Sequence, residues 1–310
     1  MSKNQLEECL NIRYTTLRFC LQFTENTEIV KYKSSALRGG IGEMLLRSHC
    51  IADRECEKCG FINECIVQRI MYAKMERLPD FMHSGDGVGY MIECPDEKCR
   101  FQKGECMEFL LTLFGKNIVY FSQYLHAIYI LGNIGIGTNK SKYKVISIKN
   151  FLGEEILKQD IVYMKNYKYQ TVNDYVNARL KEKGTCTEGK IIFEAPVTIK
   201  YQGEFIQIFI EEAIKASLLR RIYILDCFEM TEQEIYQPET EFPEIIFQKA
   251  EQVKQARYSN RKDNLMYLRG IQGIAELAGI SGEWERLLLA GEVLHIGKNT
   301  SFGFGRFRFI

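Results

Sequence analysis

The segment Leu17-Arg18-Phe19-Cys20-Leu21-Gln22-Phe23 alternates apolar and polar side chains without a break, and SSALRGGIGEMLLRSHC follows at residues 34–50. Period-two alternation is the mark of a strand with one buried face. In the second stretch Leu37, Ile41, Met44 and Leu45 fall on one face of a helix, which Ser34 or Ser35 can cap. The polar turn TENTE at 24–28 separates the two elements. Glycines 39, 40 and 42 each cost a helix about 1 kcal/mol relative to alanine. Another backbone or a ligand must therefore come close to that turn.

Outward from this pair, residues 88–93, 109–114 and 143–149 read as strands, and IVYFSQYLHAIYIL at 118–131 reads as a helix. The order strand, helix, strand, strand, helix, strand is that of a split βαβ, ferredoxin-like fold, an antiparallel sheet with two helices on one face. Residues 153–189 are polar and irregular and read as a linker. Beyond them come a strand at 190–201, a helix at about 205–228, a helix at about 244–257, and a closing strand pair, GEVLHIG (291–297) and GFGRFRFI (303–310). The expected fold class is α+β: two tandem ferredoxin-like (RRM-like) domains, 1–152 and 190–310, with a Cys-rich insert at about 50–106 in the first.

A chain of 310 residues suits two domains, and 46% hydrophobic with 26% charged residues excludes disorder. The formal net charge is +1, which excludes a globally basic nucleic-acid coat but not a local basic groove. MSKNQLEECL lacks the apolar core of a secretory signal, and the 11 cysteines are an odd number, so a reduced cytoplasmic protein is expected. The uncharged run 118–137 has the length of a membrane span but carries Ser122, Gln123, His126, Asn133 and three glycines. It reads as a buried helix running into a glycine loop, in a soluble protein with no membrane partner.

Cys50-x5-Cys56-x2-Cys59-x5-Cys65 places four thiols within sixteen residues. Four thiolates on one tetrahedral ion make a closed, structural zinc site; an iron–sulfur cluster is the other soft-metal reading, and buried free cysteines the bland one. Cys94, Cys99 and Cys106 offer a second site, one further ligand to the first, or no ligand at all. No catalytic metal is expected.

Two stretches carry positive charge next to groups able to do chemistry. LHIGKNTSFGFGR (294–306) has glycines at 297, 303 and 305, whose amides can approach an anionic backbone, bracketed by Lys298 and Arg306; the bland reading is a hairpin turn. Lys254-Gln-Ala-Arg257-Tyr258-Ser-Asn-Arg261-Lys262 has four cations and no acid. There Tyr258 can stack on a base while Arg257 and Arg261 hold phosphates, or the run is a solvated helix end. Of the histidines, His295 reads as lying on a strand opposite Leu294 and Ile296, His49 ends the first long helix, His126 reads as a core residue and His83 sits in a loop.

These stretches carry a resemblance. ALRGGIGEMLL with its C…CxxC…C insert, LTLFG and GNIGIG, RYSNRK, LRGIQG, and finally GEVLHIGKNTSFGFGRFRF together resemble the CRISPR-associated precursor-crRNA processing endoribonucleases of the RAMP superfamily, of the type with a glycine-rich C-terminus. The resemblance implies two ferredoxin-like domains that bind repeat RNA. It also implies metal-independent cleavage by the RNA's own 2′-hydroxyl, leaving a 2′,3′-cyclic phosphate and a 5′-hydroxyl. The glycine loop then matches Gly297, Gly303 and Gly305, the loop cation matches Lys298, and the glycine helix brings Arg38. A family histidine on or just after the first helix corresponds to His49, and His295 lies within the closing motif; His295 is the first choice. The runner-up is a non-catalytic RAMP subunit that holds guide RNA among other CRISPR effector subunits.

Overall fold

The computed structural model describes residues 3–72, 79, 87–229, 234–259 and 264–310. The first half of the chain forms α1 (Lys3–Cys9), β1 (Arg13–Phe23), α2 (Lys33–His49), α3 (Ile66–Met71), β2 (Tyr90–Glu93), β3 (Cys106–Phe114), α4 (Phe121–Ile134), β4 (Tyr143–Lys149), β5 (Glu155–Lys158) and β6 (Ile161–Val162). The second half forms α5 (Val172–Lys183), β7 (Glu188–Val197), α6 (Glu211–Glu229), β8 (Glu244–Ser259), β9 (Asn264–Ala278), α7 (Gly282–Leu294) and β10 (Phe307–Phe309). Two compact units result. The N-terminal unit comprises Tyr14–Tyr169 with Ala256–Met266; the C-terminal unit comprises Met1–Arg13, Gln170–Gln255 and Tyr267–Ile310.

In the N-terminal unit the strands run β2-β3-β1-β4-β5-β6, each antiparallel to its neighbour. The odd positions of β1 point into the core: Leu17, Phe19, Leu21 and Phe23 are each at most 1% exposed. Burying such a side chain is worth about 1.5–3 kcal/mol. Phe19 stacks on Phe109 across the ladder at 4.8 Å. Leu37, Ile41 and Leu45 of α2 and Tyr124, Ile128 and Leu131 of α4 complete the same core. A Cβ on Gly40 would stand 2.6 Å from the Leu131 side chain, so this glycine lets the helices close on each other, whereas nothing lies within 4 Å of Gly39. The expected strand and helix series is present here, with α4 starting at Phe121 after a 3-10 turn over Gly115–Tyr120.

In the C-terminal unit the sheet order is β8-β9-β7-β10. Its core combines Phe193, Leu218, Ile222, Trp284, Leu288 and Phe307. Three expectations fail from residue 153 onward. The helix expected at 244–257 is the strand β8: its Lys-, Glu- and Gln-rich composition favours a helix only weakly, and hydrogen bonding to β9 outweighs that preference. GEVLHIG is not a strand, because Ser281 caps α7 by accepting the Trp284 amide at 3.3 Å and the helix runs on to Leu294. Gly291 belongs to the buried stripe of α7, where a Cβ would meet the Phe307 ring at 2.4 Å. The stretch 153–189 is not irregular either: it contains β5, β6 and α5, the last opened by a Thr171–Asp174 capping box. His126, expected in the core, lies on the exposed side of α4. Among the described residues no helix is long and apolar enough to cross a membrane.

Candidate functional site

The C-terminal loop is a tightly hydrogen-bonded corner. Helix α7 ends at Leu294, whose carbonyl accepts the Arg221 Nε from α6 at 3.0 Å, placing a cation where the helix dipole favours one. His295 then turns the chain with φ 56° and is only 2% exposed, its Nδ1 lying 3.2 Å from the Phe304 carbonyl oxygen. It is thus a buried helix-end residue rather than a residue on an open strand face. The three glycine amides have protein acceptors: Gly297 donates to Ser217 Oγ (2.8 Å), Gly303 to the Thr300 carbonyl (2.8 Å) and Gly305 to the Pro196 carbonyl (2.8 Å). The expectation that these amides cradle an anion therefore does not hold; they fasten the loop to α6, to itself and to the end of β7. Arg306 pairs with Glu194 at 3.2 Å, a partner that nothing in the local sequence signals. Lys298 donates its amide to the Thr198 carbonyl and keeps its side chain exposed.

A second group lies on the N-terminal unit. Arg38, in the first turns of α2, stacks its guanidinium over the Tyr90 ring at 5.9 Å. Arg257, from the far end of β8, is close enough to Arg38 for the two charges to repel. Burial first, and that neighbouring cation second, pull the Arg257 guanidinium below its ordinary value. Tyr90 as the platform under Arg38 was not anticipated from the sequence, and the only hint of it was an aromatic residue in a short apolar strand. His49, the last residue of α2, is half-buried, and its Nε2 has no hydrogen-bond partner among the described residues. Tyr258 continues β8, but its side chain lies outside the described residues, as do Arg261 and His83.

Cys50, Cys56, Cys59 and Cys65 are free, half-buried thiols. Cys50 Sγ accepts the Arg54 amide at 3.3 Å and Cys56 Sγ accepts from Gln68 at 3.5 Å. Among the described residues no three potential ligands converge on one point. The second set is dispersed too: Cys94 donates to the Glu108 carbonyl and Cys99 to the Glu97 carbonyl, while Cys106 opens β3 on the surface.

Comparison with known proteins adds the family. Residues 191–307 match the model of the CRISPR-associated endoribonuclease Cas6, and residues 11–174 match a model described as an N-terminal domain. A partial Cas6-RT-Cas1–Cas2 complex superposes with TM-score 0.57 at 13% identity, covering 96% of this chain but 46% of that one. The chain thus spans less than half the length of that relative. A product complex of a Thermus thermophilus Cas6 aligns with TM-score 0.50 at 13% identity, covering 97% of this chain and 100% of the other. A second Cas6 product complex gives 0.50 at 14% identity, with 96% and 99% covered. No curated protein matches the chain. The mixed α/β, antiparallel architecture is Cas6-like, and the C-terminal part of the chain, residues 191–307, carries the match to the CRISPR-associated endoribonuclease Cas6.

Proposed function

We propose that the chain cuts CRISPR repeat RNA by internal transesterification during crRNA maturation, with His49 as the proton-transfer residue. The observation that carries this reading is the meeting of Arg38 and Arg257, distant in sequence, on the unit whose helix α2 ends in His49. In the reaction the 2′-oxygen attacks phosphorus, the bond to the 5′-oxygen breaks, and a base takes the 2′-proton while an acid protonates the leaving oxygen. Cations offset the charge of the phosphorane. Arg38 and Arg257 are assigned to phosphates, and Tyr258 and Arg261, from the same cation-rich stretch of sequence, to further RNA contacts. On the C-terminal unit, Lys298 is assigned to an RNA phosphate and His295 to holding the C-terminal corner. No metal takes part in these steps.

The strand order supports the fold reading. In both sheets the third strand of the strand–helix–strand–strand–helix–strand series lies between the first and second, and we read both units as ferredoxin-like. The thiol set Cys50, Cys56, Cys59 and Cys65 has the chemistry of a structural zinc site, whose ion would staple the insert. Repeat RNA is the assigned partner, and the Cas6-RT-Cas1–Cas2 likeness makes other CRISPR proteins the next ones to test.

The test is cleavage of the host repeat RNA in EDTA by wild type, His49→Ala and His295→Ala. We expect 2′,3′-cyclic ends from wild type and a rate about 10²–10⁴-fold lower for His49→Ala with RNA affinity retained. His295→Ala should lower thermal stability and keep its rate below its own melting temperature. A His49→Ala variant that cuts like wild type overturns the assignment of His49. Tight binding without any cut at stoichiometric wild-type protein would identify a guide-holding RAMP subunit instead.

A further inference from the structure

The ladder between β1 and β3 places Cys20 on the rung next but one to Cys106, the last of the dispersed second cysteine set. Cys20 faces Glu108 and Gln22 faces Cys106, so the two thiols occupy diagonal positions on the same face of the sheet. This is the face turned away from the core, since Leu21 and Met107 point inward at no more than 1% exposure. Cys106 is exposed and Cys20 half-buried. Burial first, and then the charge and hydrogen bonding of Cys106, raise the Cys20 thiol to about 12. Diagonal neighbours stand at about 7–8 Å between Cα atoms, slightly beyond the span of a disulfide. Cys106 is the first residue of β3, and the turn before it is hydrogen-bonded to Phe23 of β1 through Gly104 (2.8 Å) and Glu105 (2.9 Å), so the bond requires that strand end to shift towards Cys20.

We propose that Cys106 and Cys20 form a peroxide-responsive thiol pair, in which Cys106 is oxidised and Cys20 resolves it into a disulfide joining β1 to β3. The exposed Cys106 thiol gives up its proton as its sulfur attacks hydrogen peroxide, the O–O bond breaks, and the departing hydroxide takes that proton, so that a sulfenic acid and one water form. Cys20 sulfur then displaces the sulfenic oxygen, which leaves as a second water while the S–S bond forms. Two thiols are oxidised by two electrons and one peroxide is reduced to two waters. The roles follow from environment: half-burial keeps Cys20 protonated and slow to meet peroxide, whereas Cys106 stands in solvent. The bond would close the loop that carries α2 and the Cys50–Cys65 insert, tying that loop to the sheet.

The experiment treats the full chain with hydrogen peroxide, alkylates the remaining thiols, and maps the unreduced digest by mass spectrometry. The expected product is a peptide joining Cys20 to Cys106, lost on adding dithiothreitol. In Cys20→Ser, Cys106 should stop at the sulfenic acid and be trapped by dimedone; circular dichroism of that variant shows whether it is folded. Cys106 linked to another cysteine, Cys106 oxidised without any link to Cys20 in wild type, or Cys106 left unmodified at peroxide levels that oxidise a free Cys106 peptide would each overturn the proposal.

Discussion

Gly305 shows how much one residue carries in the C-terminal corner. Its φ is +75° and a Cβ there would lie 1.8 Å from the Ile296 carbonyl oxygen, while Gly137 has a similar φ of +72° with nothing within 4 Å. Left-handed backbone alone costs an alanine about 1–2 kcal/mol. Urea unfolding of Gly137→Ala should show that cost and no more, and Gly305→Ala should show clearly more; equal losses would mean that the close approach is not real. The same corner shows where reading single residues from sequence failed. His295 and Arg306 were legible as chemistry-bearing types, yet the Phe304 carbonyl and Glu194 that occupy them come from the folded loop and from another strand. His49 and Arg38 were legible by position on α2, whereas the neighbourhood that gives them a use was not.

At the scale of elements, helix α6 carries a buried titratable group. Asp226 is 5% exposed, and burial first, then nearby Glu229, raise its carboxyl from 3.8 to about 7. The folded state then binds a proton more tightly than the unfolded state. The contribution is fully present below pH 4 and lost as pH rises towards 7 and through it. Chemical denaturation from pH 4 to 8 should show a falling contribution in wild type that Asp226→Asn removes; unchanged pH dependence in the variant would place the titration elsewhere. The insert between α2 and α3 makes a separate prediction. Elemental analysis should find one zinc per chain, and a chelator should lower the melting temperature without slowing cleavage by folded protein. Protein free of zinc, or Cys59→Ser with unaltered metal content and stability, would remove the zinc site. At this scale the sequence was read correctly where an apolar stripe was long, as in α2, and wrongly where only a few residues decided, as at 291–297.

For the whole molecule, the net charge of +1 means that affinity for a polyanion must come from local groups rather than from an overall field. Arg38 and Arg257 are the pair assigned to this work. If each neutralises one phosphate of single-stranded RNA, removing either should reduce the slope of log affinity against log salt by about 0.7. Lys144→Ala, an exposed change elsewhere on the N-terminal unit, should leave the slope alone. Slopes that do not change for Arg38→Ala and Arg257→Ala would move the RNA face away from this pair. The N-terminal unit also includes Ala256–Met266, so a fragment spanning 14–169 lacks Arg257 and should bind RNA more weakly than the full chain.

The amino-acid pattern alone determined the strand–helix–strand–strand–helix–strand series of the N-terminal unit. Leu17 to Phe23 and Leu37 to Leu45 each repeat their apolar side chains at a period that only one secondary structure can bury. It also marked the closing glycine motif and the residues of α2. Only the tertiary structure decided that 244–257 is a strand, that α7 continues through Gly291 to Leu294, that the glycine amides of the loop are taken by Ser217, Thr300 and Pro196, and that the charge of Arg38 reaches Arg257. Strand pairing, amide occupancy and the meeting of two charges each depend on partners tens or hundreds of residues away, and local periodicity contains no information about them.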